Sequence, residues 1–419
     1  MRDLLPRHIT SFFKCAALSI AALFILGGCA SSQRYIEKEY EAWSIADPPL
    51  TFSRLHRVFL VGNTGEMADD YPALTLLQQL VDRAGTNSTT IFLGDQVPCC
   101  GLPDSGHADR PPIEAHLRQQ LDAVKDAPGN VFFVAGDQDW NGQRGSLNLR
   151  KNQELFIEQY LGRGNVFLPD NGFPGPEIID LGKNLHLMLL DTQWWLSEGE
   201  KAFGDTGDYD LQEASDFLRE MQEKLYKYRN DKLLIVGHHP FYTNGEHGGN
   251  FPTRTHLSPL PIFGSLEPFY RRYVGNRQDL AHQAYRLLRT ELNKLFEEKE
   301  LVYAAAHDQS LQYFPKGTNR ARRHFLVSGS GTKASYVASG RGAGYTAAHP
   351  GFLVLDYYED NSIWLTAWET TPASPEGVVT FRYPIQPAAP APIPDDAVLA
   401  REDLPDYADS TIVVAANAT

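Results

Sequence analysis

Apolar and β-branched residues fall along the chain in short continuous runs, at 57–61, 90–93, 131–135, 185–190, 233–236, 301–305 and 324–328. Runs this short and this unbroken have the look of strands buried on both faces. Between them lie stretches with helical spacing, at 71–83, 113–125, 152–161, 211–228 and 280–299. Strands alternating with helices predict an α/β fold with much parallel pairing. Two later runs, 352–357 and 363–368, follow each other closely and predict a closing antiparallel hairpin. Two long inserts, 98–112 and 242–279, interrupt the alternation. Ordered loops of that length are usually functional, and the aromatic and proline content of the second predicts ordered structure over a pocket mouth. No internal repeat is present.

The N-terminal run is of another kind. Arg2, Arg7 and Lys14 precede an apolar stretch at 15–26, which ends in Leu-Gly-Gly-Cys at 26–29. Residues 1–28 read as a secretory signal, too short to span a bilayer comfortably; a plain signal peptide or a single short membrane helix is the other reading. The Leu-Gly-Gly-Cys ending resembles a bacterial lipobox, which implies lipidation of Cys29. With Ala30 and Ser31 following in place of Asp, the resemblance implies the outer membrane of a bacterial envelope, facing the periplasm. Residues 29–55 then read as a tether, 56–385 as one large domain and 386–419 as a Pro/Ala-rich tail.

Composition adds exclusions. Hydrophobic residues make up 42% of the chain and aromatics 11%, enough for a sizeable core. The formal charge of −14 argues against nucleic acid or an anionic membrane surface as partner, leaving the membrane reached through the lipid anchor only. A small anionic ligand stays compatible, because a bound cation inverts the potential of its own pocket. Of four cysteines, only Cys99 and Cys100 fall in the domain, so no disulfide framework holds it.

Five polar segments follow the apolar runs: VGNTG at 61–65, LGDQ at 93–96, AGDQDW at 135–140, VGHHP at 236–240 and AHDQ at 306–309. Sites in layered α/β folds lie beyond the carboxyl ends of strands, so these endings can meet in one cleft. Asp95, Asp137, His238 and His307 each stand at such an end. A shared carboxylate, a second oxygen ligand and two imidazoles suffice for one divalent transition metal, Zn, Mn or Fe, with positions left for water. Singly, each residue reads as a capping Asp or a hydrogen-bonded core His; the repeated placement after strands carries the metal reading.

The order of the five segments resembles the calcineurin-like metallophosphoesterases, in the style of the purple acid phosphatase branch. GHHPFYTNGEHGG, LDTQWWL, SLQYF and VSGSGTK are similar to accessory stretches of that family. The resemblance implies an α/β fold of four layers, α/β/β/α, with mixed sheets, a two-metal site and phosphoester hydrolysis. The chain departs from the family pattern at several positions. Asn63 stands where the family has its first Asp, Pro98 where the branch has a tyrosine, and Gln309 where it has its last His. The first metal position is therefore degenerate, while Asp95, Asp137, His238 and His307 keep the second. Gln138 replaces the histidine that contacts phosphate; a glutamine hydrogen-bonds phosphate but delivers no proton near neutral pH.

Catalytic candidates are Asp95, His239 and Gln138, with His247 and Gln138 as substrate contacts; His239 and His247 touch a substrate or hydrogen-bond their own loop. Cys99 and Cys100 offer a thiolate in place of the missing tyrosine or form a vicinal disulfide or structural pair. Trp194 and Trp195 read as core with a pocket wall as the alternative, and SGSGTK at 328–333 as a turn near the cleft. The expected function is a lipid-anchored envelope protein with a degenerate site, binding one divalent metal and a small phosphate ester or envelope component, with weak or no hydrolysis. The alternative is an active metal-dependent phosphatase on a small periplasmic phosphate ester.

Overall fold

The predicted apolar runs become strands of two mixed sheets, all interior except Asn130–Phe133 at one edge. A computed structural model describes residues 34–388 except 46, 49, 50, 69, 206–209, 319 and 320. The signal segment, Cys29 and tail residues 389–419 lie outside the described residues. In the six-stranded sheet the order is Ser374–Gln386, Ile363–Thr371, Gly351–Tyr358, Arg54–Val61, Ser88–Phe92 and Asn130–Phe133. The last three strands pair in parallel and the first three as an antiparallel meander that includes the predicted hairpin. The eight-stranded sheet has a parallel centre, Ala321–Ser328, Leu301–Ala305, Lys232–Val236 and Leu185–Leu189, flanked by antiparallel strands.

Period-two alternation divides each strand between two cores. Val58, Leu60, Leu187, Leu189, Leu234 and Val236 pack between the sheets. Their neighbours Phe59, Val61, Met188 and Ile235 face outward into a core shared with the helices. Helix Pro72–Asp82 covers the six-stranded sheet, and helices Ala214–Lys227 and Gln283–Phe296 cover the eight-stranded one, where Phe296 packs against Phe241. The result is the four-layer α/β/β/α order. Among the described residues no helix is long and apolar enough to cross a membrane.

Part of the expected tether belongs to the domain. Tyr35–Ile36 adds an edge strand beside Tyr345–Ala347, and Tyr40 is buried against Tyr313, Phe381 and Tyr383. Its three edge-on ring contacts give this polar stretch an anchor that composition did not reveal. The strands Glu177–Asp180, Leu311–Thr318, Tyr345–Ala347 and Ser374–Gln386 are also additions to the predicted set. The last of these carries Pro375, Gly377 and Pro384, residues tolerated on an edge strand, which this one is.

Candidate metal centre

Three of the strand ends bend sharply to aim their residues. Asn63, Asp95 and His307 have φ of 52°, 57° and 65°, the left-handed region that costs a non-glycine residue on the order of 1 kcal/mol. Glycine clears the space around them. A Cβ on Gly136 would stand 2.2 Å from Asp95 Oδ1, and one on Gly94 would stand 2.3 Å from His238 Nδ1.

The two imidazoles are fixed by the backbone. His238 donates Nδ1–H to the Leu93 carbonyl at 2.8 Å, and His307 donates Nε2–H to the Gln278 carbonyl at 2.9 Å. Each therefore turns its other nitrogen, as a lone pair, into the same space: His238 Nε2 and His307 Nδ1 are 3.2 Å apart. Asp137 Oδ1 lies 3.2 and 3.1 Å from these two nitrogens, and Asp95 Oδ2 lies 3.4 Å from His238 Nε2. Asp137, His238 and His307 converge as three acceptors with no donor between them, and Asp95 flanks them beside His238. Ligands about 2.0–2.1 Å from a common tetrahedral centre are about 3.3–3.4 Å apart, so this spacing fits one transition-metal cation. The carbonyl partners that fix each ring are the outer-shell contacts such ligands require.

Electrostatics agree with a site built for positive charge. Burial disfavours the His238 cation, but the charges of Asp95 and Asp137 outweigh it and hold its pKa well above the usual imidazole value. Burial likewise opposes charge on Asp137, and hydrogen bonds to His238 and His307 hold it well below the carboxylate range. With no cation, a proton shared among these groups takes its place.

The other predicted residues divide. Gln138 donates its backbone N–H to Asp95 Oδ1 at 2.9 Å and its side-chain amide to Asp137 Oδ2 at 3.0 Å, beside the cavity. His247 also lines the cavity, its ring 3.8 Å from that of His307 and its Nδ1 3.1 Å from Asp279 Oδ1. Burial opposes its charge, while the bond to Asp279 and the nearby Asp308 raise its pKa above the ordinary value. His239 departs from its catalytic expectation. It is buried, accepts at Nδ1 from the Thr192 hydroxyl and donates Nε2–H to Gln278 Oε1, both at 2.7 Å. Although one of its nitrogens lies within 4.8 Å of ligand atoms of Asp137, His238 and His307, both are hydrogen-bonded and neither is free to bind or to move a proton. Burial and the neighbouring His307 and His238 hold it neutral.

On the other side of Asp95, Asn63 is committed to the backbone. Its Nδ2 donates to the His307 carbonyl at 3.0 Å, and its Oδ1 accepts the His307 N–H at 3.1 Å. Only an amide can do both. Gln309 donates to Glu66 at 3.1 Å on the cavity wall, and Cys99 and Cys100 are joined as a disulfide, which takes both thiols out of any ligand set. Trp194 is fully buried in the core, and Lys333 of the SGSGTK turn reaches the cavity.

Two contributors went unseen in sequence. The buried Asp139 carboxylate accepts the backbone N–H groups of Asp95, Gln96, Val97 and Gly136 at 2.7–3.3 Å, fixing the loop that carries Asp95. Burial and the Asp95 charge push it up to about 7. Gln278, at the end of the long insert, clamps His307 through its carbonyl and His239 through its side chain. The repeated Asp in AGDQDW was a signal for the first; nothing local marked the second. Above these groups lies a cavity of about 1540 Å³, roofed by helices Thr253–Leu257 and Leu266–Tyr273 as the insert's composition predicted.

The fold and centre define a layered α/β protein with a buried Asp/His cluster able to hold a metal. No family model and no curated protein matches the chain. Among solved structures it is similar to GAP50, the anchor in the inner membrane complex of Plasmodium, at 13% identity and a TM-score of 0.49, over 86% of this chain and 98% of that one. Purple acid phosphatase PPD1 from yellow lupin (Lupinus luteus) seeds is similar at 12% identity and a TM-score of 0.48, over 81% of this chain and 55% of that one. PhoD is similar at 10% identity and a TM-score of 0.48, over 80% of this chain and 71% of that one.

Proposed function

We propose that this chain is a lipid-anchored protein of a bacterial envelope whose calcineurin-like metallophosphoesterase domain holds one divalent transition metal and has weak or no phosphoester hydrolysis. The observation that carries the reading is the asymmetry across Asp95: converging lone pairs of His238, His307 and Asp137 on one side, and on the other an Asn63 amide spent on the His307 backbone. A bound cation supplies Lewis acidity and positive charge facing the cavity. Asp95, Asp137, His238 and His307 would hold it.

In-line hydrolysis with two cations needs a second set of ligands, and the residues there are neutral amides already hydrogen-bonded. Nor do the two candidates beside the cluster supply a proton to a leaving group. Gln138 cannot deliver a proton near neutral pH, and His239 is sealed by Thr192 and Gln278. What remains is recognition: His247, hydrogen-bonded through Nδ1 to Asp279 and Arg271, and the Gln138 amide line the cavity for an anionic ligand such as a small phosphate ester.

The size of the cavity and the His247 imidazole on its wall favour one alternative, an active metal-dependent phosphatase on a small periplasmic phosphate ester. Hydrolysis of p-nitrophenyl phosphate and its bis ester by the full-length protein, with Zn, Mn or Fe, separates the two. The proposed reading expects turnover near background, little changed in Asp95→Ala; rapid metal-dependent turnover lost in Asp95→Ala establishes the enzyme.

A further inference from the structure

The insert that roofs the cavity carries its apolar face outward. Leu266, Phe269, Tyr270 and Tyr273 recur at helical spacing and share one side of helix Leu266–Tyr273. That side is exposed, Phe269 by 64% and Tyr273 by 63%, while Pro268 is buried and Arg271 turns inward to Asp279. Leu257, Leu260, Phe263 and Val274 extend the patch, so eight of the fifteen exposed large hydrophobic side chains among the described residues fall within 257–274. With roughly 150–250 Å² per large side chain, eight at about half exposure amount to roughly 600–1,000 Å², at or above the upper end for a soluble monomer. Charge around the patch also differs from the rest. Within 251–279, four arginines, including the exposed Arg254 and Arg272, stand against Glu267 and Asp279, in a chain of net charge −14.

The N-terminal end of the described chain borders the same opening. Tyr35 pairs with Thr346 and Ile36 with Tyr345, so Arg34 comes opposite Ala347, next to Ala348 on the cavity wall. Two hydrogen bonds to Glu369 pin Arg34 there, and His349 reaches the same carboxylate at 2.9 Å. Asn244, at the root of the insert, is bonded to Ala338 and Gly340 beside this edge. Cys29 is five residues upstream of Arg34, a covalent span of at most roughly 18 Å.

We propose that the outward face of the 257–274 helices rests on a lipid bilayer, with aromatic rings at the headgroup level and arginines on anionic headgroups, so that the cavity mouth opens towards the membrane surface. The proposal rests on the lipid-anchor reading for its orientation, and the test below separates the two.

Full-length protein carrying an environment-sensitive fluorophore on Tyr273→Cys is mixed with excess vesicles of phosphatidylethanolamine and phosphatidylglycerol containing headgroup-level nitroxide lipid. The same label on Tyr226→Cys, which is 65% exposed on helix Ala214–Lys227, is the control. The expected result is a blue-shifted label at 273, quenched several-fold more than the one at 226. Equal, water-like emission at both positions overturns the proposal, as does an apolar signal at 273 without vesicles accompanied by a doubled mass, which would assign the face to a second copy. Flotation of the wild type against Cys29→Ser reads the anchor separately. A chain that floats with a water-like label at 273 keeps the anchor and loses the docking face; a shifted label without Cys29-dependent flotation does the reverse.

Discussion

Asp95 separates two sides of one cleft that the chain builds in opposite ways. On one side, Asp137, His238 and His307 face each other at 3.1–3.2 Å with Asp95 3.4 Å from His238, an arrangement that is stable only around a cation or a captured proton. On the other, Asn63 satisfies both polar groups of its amide against a single backbone unit and needs nothing else. The contrast shows how neighbouring strand ends of one fold carry either a cluster open to a cation or a self-contained backbone clip. The Asn63 oxygen serves as a structural acceptor, and its N–H donor lets the side chain hold His307 in its left-handed turn.

The largest effect expected from breaking this contrast is on the converging side. His238→Ala or His307→Ala is expected to weaken divalent cation binding by more than about 100-fold, beyond the loss typical of outer-shell changes. Isothermal titration with Zn or Mn measures it, and unchanged binding in either variant refutes the ligand assignment. Asn63→Asp tests the other side: it removes the donor to the His307 carbonyl and sets a charge beside it. In cation-free protein this is expected to cost about 1–3 kcal/mol, read as a lower denaturant midpoint. A neutral effect would show that the clip contributes nothing.

The pH dependence sharpens the comparison further. Because His238 is held above its unfolded value, its stabilising contribution to the cation-free protein is fully present below pH of about 6.5 and is lost as pH rises through the raised native pKa. The cation competes with that proton, so its affinity is expected to rise with pH, by up to about tenfold per unit, with proton release detectable in buffers of different ionisation enthalpy. pH-independent affinity between 6 and 8 would contradict the shared-proton account. The smallest effect is predicted for Gln309→Ala, which loses one cavity-wall hydrogen bond to Glu66. Cation affinity should stay within about twofold, and stability should change by no more than about 1 kcal/mol.

The parts legible in sequence were those encoded locally. Continuous apolar runs gave the central strands of both sheets, and the polar residues just beyond them gave Asp95, Asp137, His238 and His307 as a group. The Tyr35–Ile36 strand and the edge strand at Ser374–Gln386 escaped, because they are polar, interrupted by proline or glycine, and stabilised by neighbours far along the chain. The same holds within the site. The Asn63 clip joins residues 244 positions apart, and the sealing of His239 depends on Thr192 and Gln278 from two other segments. Residue type set Asn63 apart from the carboxylates and imidazoles at the other strand ends; only its partners showed what the amide does.

The central claim is one cation per chain, and native mass spectrometry of the full-length protein equilibrated with Zn or Mn tests it most directly. The account predicts a single bound ion that disappears in His238→Ala and persists in Gln309→Ala. Two ions bound with comparable affinity in the wild type would contradict it.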